Sequence, residues 1–172
     1  MKNNFYNKPI GNVYLKPSLK SEVSTQILYG EKFKILSKTK GWIKIQTKFD
    51  RYSGFIKDGN FMISFKPYYK IFSKKSWIYK KFKSNFRKTK KYLYFSSSIQ
   101  NLDSKKDFIK FDKNSWIKKK DIKKHNHTEK NYKKILKLFL NTKYLWGGKS
   151  ADGIDCSALI QIFFKYNENF FP

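Results

Sequence analysis

The sequence predicts a mixed chain, all-β through its first two thirds and helical in its last third, on three observations. Apolar residues alternate with lysines at a period of two near the start, as in Phe33 and Ile35 beside Lys34, and Ile43 and Ile45 around Lys44. Turn residues punctuate that region at Lys16-Pro17-Ser18, Tyr29-Gly30-Glu31, Lys40-Gly41 and Asp58-Gly59, the spacing of short strands in a small barrel or sandwich. After Thr128 the apolar spacing changes to i, i+3, i+4, which is helical.

The 172 residues suffice for one full domain or two to three small ones, and 40% hydrophobic content fills their cores. Lys+Arg number 39 against 12 Asp+Glu, a formal net charge of +27 that favours anionic partners. Nucleic acid is not the favoured one, because arginine occurs only at Arg51 and Arg87 and few bidentate phosphate or base forks can be built. No stretch approaches the ~18 uninterrupted apolar residues of a membrane-spanning helix. The opening Met1–Asn12 lacks the apolar region of a secretory signal, which predicts a cytoplasmic chain or one processed before this numbering. Cys156 is the single cysteine, so no internal disulfide forms, in keeping with a reducing compartment.

Charge divides the chain. Residues 65–127 carry 20 basic and 4 acidic side chains, whereas 128–172 are nearly balanced and hold the cysteine and the tightest glycine cluster. An internal echo, with gaps, sets Trp42-Ile43-Lys44-Ile45 followed by Phe49-Asp50-Arg51-Tyr52-Ser53-Gly54-Phe55-Ile56-Lys57 against Phe108-Ile109-Lys110-Phe111-Asp112-Lys113-Asn114-Ser115-Trp116-Ile117-Lys118, about the spacing of one minimal all-β domain, and predicts a duplicated module. The lysine-rich run Lys80–Lys91 reads as a hairpin with a solvated face, or less simply as a polyanion strip. His125-Asn126-His127 reads as a polar linker; a metal site is disfavoured because no Cys and no dense carboxylate cluster accompanies it.

Two helices follow. Thr128 is a plausible N-cap for a helix ending near Asn141, with Tyr132, Ile135, Leu136, Phe139 and Leu140 on its apolar face. Gly147 and Gly148 break the pattern, and a second helix runs from Asp155 to about Tyr166 with Leu159, Ile160, Phe163 and Phe164 as its apolar side.

The chemistry concentrates in Tyr144-Leu145-Trp146-Gly147-Gly148 and Gly153-Ile154-Asp155-Cys156-Ser157-Ala158-Leu159. Asp155 stands at an N-cap position, so Cys156 enters the first turn, where unpaired N–H groups and the helix dipole favour a thiolate. Gly147, Gly148 and Gly153 lack a Cβ and let the loop fold back, leaving room for a substrate backbone near the sulfur in a cleft rimmed by Tyr144 and Trp146. The plainer reading makes Cys156 a small core residue and the glycines ordinary turns.

These motifs resemble the NlpC family of papain-like bacterial cysteine peptidases, over residues 128–172. Ahead of them, Asn12-Val13-Tyr14-Leu15-Lys16-Pro17-Ser18, Leu28-Tyr29-Gly30-Glu31-Lys32-Phe33, Gly41-Trp42-Ile43-Lys44-Ile45 and Gly54-Phe55-Ile56 resemble the bacterial SH3-like (SH3b) domain, over residues 9–64. The resemblances imply two small SH3-like β-barrels, at 9–64 and, more divergently, 65–122. A linker at 123–127 and the N-terminal helical part of a papain-like α+β domain, truncated before its sheet, complete the expected architecture.

By the same resemblance the activity is hydrolysis of amide bonds in peptidoglycan stem peptides or muropeptides, with no cofactor. Cys156 is then the nucleophile, and the Tyr144 hydroxyl with the Cys156 N–H stabilises the oxyanion. Asp155 and Ser157 hold the free amine of a stem peptide, with Trp146 on the substrate side. A carboxylate beside the thiol opposes thiolate formation, so Asp155 either caps the helix or meets an ammonium group, and the two roles are compatible. Ala158 stands where the family has glycine. No histidine follows Cys156 to serve as base, and Phe171-Pro172 resembles the end of the family's nucleophile helix, so the chain by itself is expected to be incomplete and inactive. The rival reading is a non-catalytic module docking on an anionic cell-wall glycan or nucleic acid.

Overall fold

In a computed structural model the described residues are 4–170; Met1 to Asn3, part of the opening read for a signal, and Phe171-Pro172, read as the end of the last helix, lie outside them. They form a mostly β structure with two α-helices. None of the helices is long and apolar enough to cross a membrane.

The first segment folds as strands β1 (Asn4–Phe5), β2 (Ile10–Tyr14), β3 (Val23–Leu28), β4 (Lys32–Thr39), β5 (Trp42–Thr47) and β6 (Ser53–Lys57), hydrogen-bonded in the order β1-β4-β5-β6-β2-β3. The period of two does what it predicts: Phe33, Ile43 and Ile45 are fully buried with Val13, Ile27 and Ile56, while Lys34 faces water. A register shift lies between Ile35 and Ser37 of β4, and Leu36 there is exposed, on the outward beat set by Lys34. Thr39 pairs with Trp42, so Lys40-Gly41 is a two-residue turn, and it needs a glycine because Gly41 sits at φ +70°.

The second segment contributes β7 (Tyr69–Ile71), β8 (Lys75–Phe82), β9 (Asn85–Tyr94), β10 (Ser98–Ile99), β11 (Asp103–Lys105), β12 (Phe108–Asp112), β13 (Ser115–Lys118) and β14 (Ile122–Lys124). The lysine-rich run is the β8–β9 hairpin, whose polar side chains are largely exposed. The echoed motif falls on comparable hairpins, β5–β6 and β12–β13. Two closed barrels are not found. No sheet among the described residues closes on itself: β1 and β3 end the first sheet, and the second segment splits into a three-stranded sheet, β10-β7-β14, and a five-stranded one, β11-β12-β13-β8-β9. The chain crosses between the two sheets four times, from β7 to β8, β9 to β10, β10 to β11 and, through the 3₁₀ turn Lys119–Asp121, from β13 to β14. The segments share a core as well, since Tyr29 of the first packs edge-on against Phe111 of the second at 5.4 Å.

Helix α1 spans only Tyr132–Lys137, and its N-cap is Asn131, whose side chain accepts from the Lys134 N–H, not Thr128. Ile135 and Phe139 are buried, but Tyr132 and Leu140 are exposed, so the expected stripe is narrower than drawn from spacing. Strands β15 (Lys149–Ser150) and β16 (Gly153–Ile154) form a small hairpin before α2 (Cys156–Tyr166). The span of α2 matches its expectation, but its buried face does not: Ala158, Gln161, Ile162 and Tyr166 face inward, whereas Ile160 is exposed and Leu159, Phe163 and Phe164 are half-buried. Phe95 sets this rotation by stacking on Tyr166 at 4.9 Å in a core shared with Ile135, Phe139 and Ile154.

Candidate functional site

The site is built where the β15–β16 hairpin delivers the chain into α2. Lys149 pairs with Ile154 and Ser150 with Gly153, and Tyr144 forms a parallel bridge with Ile154. Main-chain bonds from Ile154 N–H to the Lys143 carbonyl (3.2 Å), Leu145 N–H to Ile154 (3.3 Å) and Asp155 N–H to Gly148 (3.2 Å) hold the loop against the start of the helix. Tyr144 is thereby fixed in register two residues ahead of the cysteine.

Asp155 is the N-cap, in extended backbone at φ −92°, ψ 174°. Its Oδ1 accepts from the Ala158 N–H at 2.7 Å and from the Ser157 hydroxyl at 2.8 Å. Of the two roles weighed for this carboxylate, capping is the one the geometry displays. Cys156 is the first residue of α2 and is a free, exposed thiol, so the reading of it as a small core residue fails. Tyr144 (62% exposed) and Trp146 (63%) both stand open to solvent on the loop before it. Asp155→Ala removes the cap, and urea unfolding is expected to show a loss of about 1 kcal/mol with the far-ultraviolet spectrum retained.

The glycines do something other than open space for a substrate. A Cβ on Gly147, which sits at φ +67°, would lie 2.7 Å from the Val23 carbonyl oxygen, and one on Gly153 would lie 2.4 Å from the Leu145 Cβ. Their bare backbones are filled by this chain's own atoms, and Gly147 lets the loop press onto β3 of the first segment.

Sequence reasoning missed the charges that lock this loop in place. Lys149, inside the motif, is buried against the first segment: its ammonium meets Asp50 at 2.5 Å, and its N–H donates to the Gln26 side chain at 2.9 Å. Asp50 also accepts from the Thr47 hydroxyl. Burial pushes the Asp50 carboxyl up, but the Lys149 ammonium and the Thr47 hydroxyl outweigh it and hold the carboxyl below its ordinary range. Burial likewise disfavours a charged Lys149, and Glu31 and Asp50 reverse that, raising its pKa. Lys165 of α2 pairs with Glu31 at 2.6 Å. On the other flank Asp152, at the hairpin turn, accepts from Tyr92 (2.9 Å) and Tyr94 (2.5 Å) and pairs with Lys75 (2.5 Å). No local pattern marks a lysine in a glycine loop as buried.

Both histidines are spent at the opposite end of α2. His125 Nε2 lies 2.7 Å from Glu168, and His127 Nδ1 lies 2.8 Å from the Tyr166 hydroxyl, in place of a free polar linker. Burial holds both imidazoles below their usual pKa. Tyr166 is ten residues along the helix from Cys156, about 15 Å at 1.5 Å per residue. Among the described residues, no imidazole adjoins the thiol, and no group of three His, Cys, Asp or Glu side chains could hold a metal.

Comparison with known proteins agrees with the two sequence resemblances. The model of the NlpC/P60 family matches residues 141–171, and that of the bacterial dipeptidyl-peptidase Sh3 domain matches residues 13–60. The crystal structure of an NlpC/P60 family protein from Bacillus cereus ATCC 10987 superposes with a TM-score of 0.82 at 14% identity, covering 99% of this chain and 74% of that one, a likeness of fold. NlpC2 from Trichomonas vaginalis, at 16% identity, covers 99% of this chain and 68% of that one with a TM-score of only 0.36, and carries no weight here. No curated protein matches in sequence.

Proposed function

We propose that this chain carries the nucleophile and the substrate-facing loop of an NlpC-type cysteine peptidase acting on amide bonds of peptidoglycan stem peptides. The observation that carries the reading is the exposed Cys156 thiol at the first position of α2, behind the Asp155 cap, inside the segment that matches the NlpC/P60 family. A sulfur there is open to a substrate carbonyl, and the unpaired N–H groups of the first turn surround it.

In the reaction the Cys156 sulfur attacks the scissile carbonyl carbon, and its electron pair moves onto the carbonyl oxygen. The Cys156 N–H and the Tyr144 hydroxyl steady that oxyanion; collapse expels the amine and leaves a thioester that water then cleaves. The leaving amine needs a proton and the water must lose one, and neither histidine is placed to serve. Turnover therefore depends on a base from outside the described residues. Asp155 keeps its second carboxylate oxygen for the ammonium group of a stem peptide, beside the Ser157 hydroxyl, and Trp146 offers an exposed face to the substrate. The SH3-like segments, 9–64 and 65–122, serve as wall-recognition modules that brace the loop through Lys149 and Asp152.

The test is alkylation of the whole chain. Iodoacetamide at pH 7 is expected to modify Cys156 several-fold faster than N-acetylcysteine; a rate no greater than that of the small thiol overturns the activated-nucleophile reading. A purely binding role draws on a different feature, the basic aromatic face of the five-stranded sheet, where Lys88 lies 3.7 Å from the Trp77 ring centre and Lys118 lies 5.4 Å from that of Tyr79. That role predicts steeply salt-dependent binding of wall polyanions with no change in Cys156→Ser.

A further inference from the structure

We propose that the cavity at the far end of α2 from Cys156 binds a small molecule bearing phosphate or clustered carboxylate groups. The cavity holds about 530 Å³, within the range of small-molecule sites, and lies where the first segment, the second segment and the end of α2 meet. Cys156 is not among its lining residues, so the proposal stands apart from the peptidase reading.

The charges facing it do not balance. Lys32, Lys48, Arg51, Lys70 and Lys165 line it against two carboxylates, Glu31 and Glu168. Both carboxylates are engaged: Glu31 pairs with Lys165 at 2.6 Å, and Glu168 with His125 at 2.7 Å. Lys70 is the telling residue. It is 3% exposed, yet its ammonium is in no ion pair among the described residues; it donates to the Tyr166 carbonyl at 2.5 Å and lies 4.4 Å from that residue's ring centre. An ammonium has three protons to donate, and burying that charge without a counter-charge is unfavourable. Burial duly lowers the pKa of Lys70, and Lys165 adds to the effect against the opposing pull of Glu168. An oxyanion in the cavity supplies the missing charge.

Two further features suit a ligand. Three lining residues that are not glycine, Arg51 (φ +58°), Ser96 (φ +66°) and Glu168 (φ +58°), are held in left-handed backbone, strain that the surrounding structure must maintain. Arg51 stacks on Phe170 with its guanidinium carbon 4.8 Å from the ring centre, which fixes the fork while leaving its in-plane N–H groups free to donate.

Isothermal titration of the full chain with pyrophosphate and, separately, with citrate at constant ionic strength tests this. Saturable one-to-one binding of either is expected, unchanged in Cys156→Ser and weakened at least ten-fold in the doubly substituted rim variant Lys48→Ser with Arg51→Ser. Tighter binding of pyrophosphate identifies the phosphate class, and tighter binding of citrate the carboxylate class. Lys70→Met is expected to abolish binding, and the exposed rim pair keeps the test decisive if that buried variant fails to fold. No saturable binding of either anion overturns the proposal, as does equal weakening by Arg87→Ser with Lys88→Ser on β9, because that result marks general attraction to a basic surface.

Discussion

Asp50→Asn or Lys149→Met, made singly, is expected to cost the folded chain about 3–5 kcal/mol, the range for leaving one member of a buried ion pair alone. Against a typical total of ~5–15 kcal/mol this is enough to loosen the whole structure. The two side chains are 1% and 3% exposed and touch at 2.5 Å, so water cannot compensate the survivor. Asp50→Leu combined with Lys149→Met removes both charges and is expected to recover most of the loss, because well-packed apolar replacements of buried pairs are often neutral. Urea unfolding of the singles and the double completes the cycle; a double as damaged as the sum of its singles rules out the coupling.

The same pair sets a pH window. The folded pKa of Asp50 lies below its unfolded value of about 3.9, so its contribution is fully present above that value and disappears as pH falls through the folded pKa. Lys149 has a raised folded pKa, so its contribution holds below about 10.4 and is lost as pH rises through the folded value. Urea midpoints are expected to fall on the acid side more steeply in the native chain than in the double variant.

The second large effect concerns turnover. The chain alone is expected to release no amine from muropeptides above the buffer rate, since the only histidines in the sequence are held at the wrong end of α2. Fusing a histidine-bearing β-sheet of the family type behind α2 is expected to start hydrolysis. In that fusion Cys156→Ser then removes at least about a thousandfold of the rate, and Tyr144→Phe costs about a hundredfold through the lost oxyanion donor. Amine release followed by fluorescence labelling reads all of these. Undiminished turnover in Cys156→Ser sinks the nucleophile assignment, and an unaffected Tyr144→Phe removes that hydroxyl from the mechanism.

Several parts of the site were legible in the chain itself. Asp155 followed by a helical apolar spacing placed the start of α2, and Cys156 came with it, because a cap and the amides it serves lie within three residues of each other. The first helix was less legible: Thr128 and Asn131 are both capable caps, and only the burial of Ile135 and Phe139 selects the later one. The face of α2 was misjudged for a related reason. Leu159, Ile160, Phe163 and Phe164 form an apolar stripe as good as Ala158, Ile162 and Tyr166, and the choice between them was made by Phe95, sixty and more positions away in the chain.

What the amino-acid order by itself determined is therefore short-range: alternating strands, the Gly41 turn, a capped helix and a thiol at its head, each governed by contacts within a few residues. Tertiary structure alone decided that the sheets stay open, that Lys149 is buried on Asp50, and that the space at the motif glycines is filled by Val23 and Gly153 backbone and by the Leu145 side chain. Such outcomes depend on desolvation and on partners 99 or more positions apart, and no local periodicity encodes which charge will meet which.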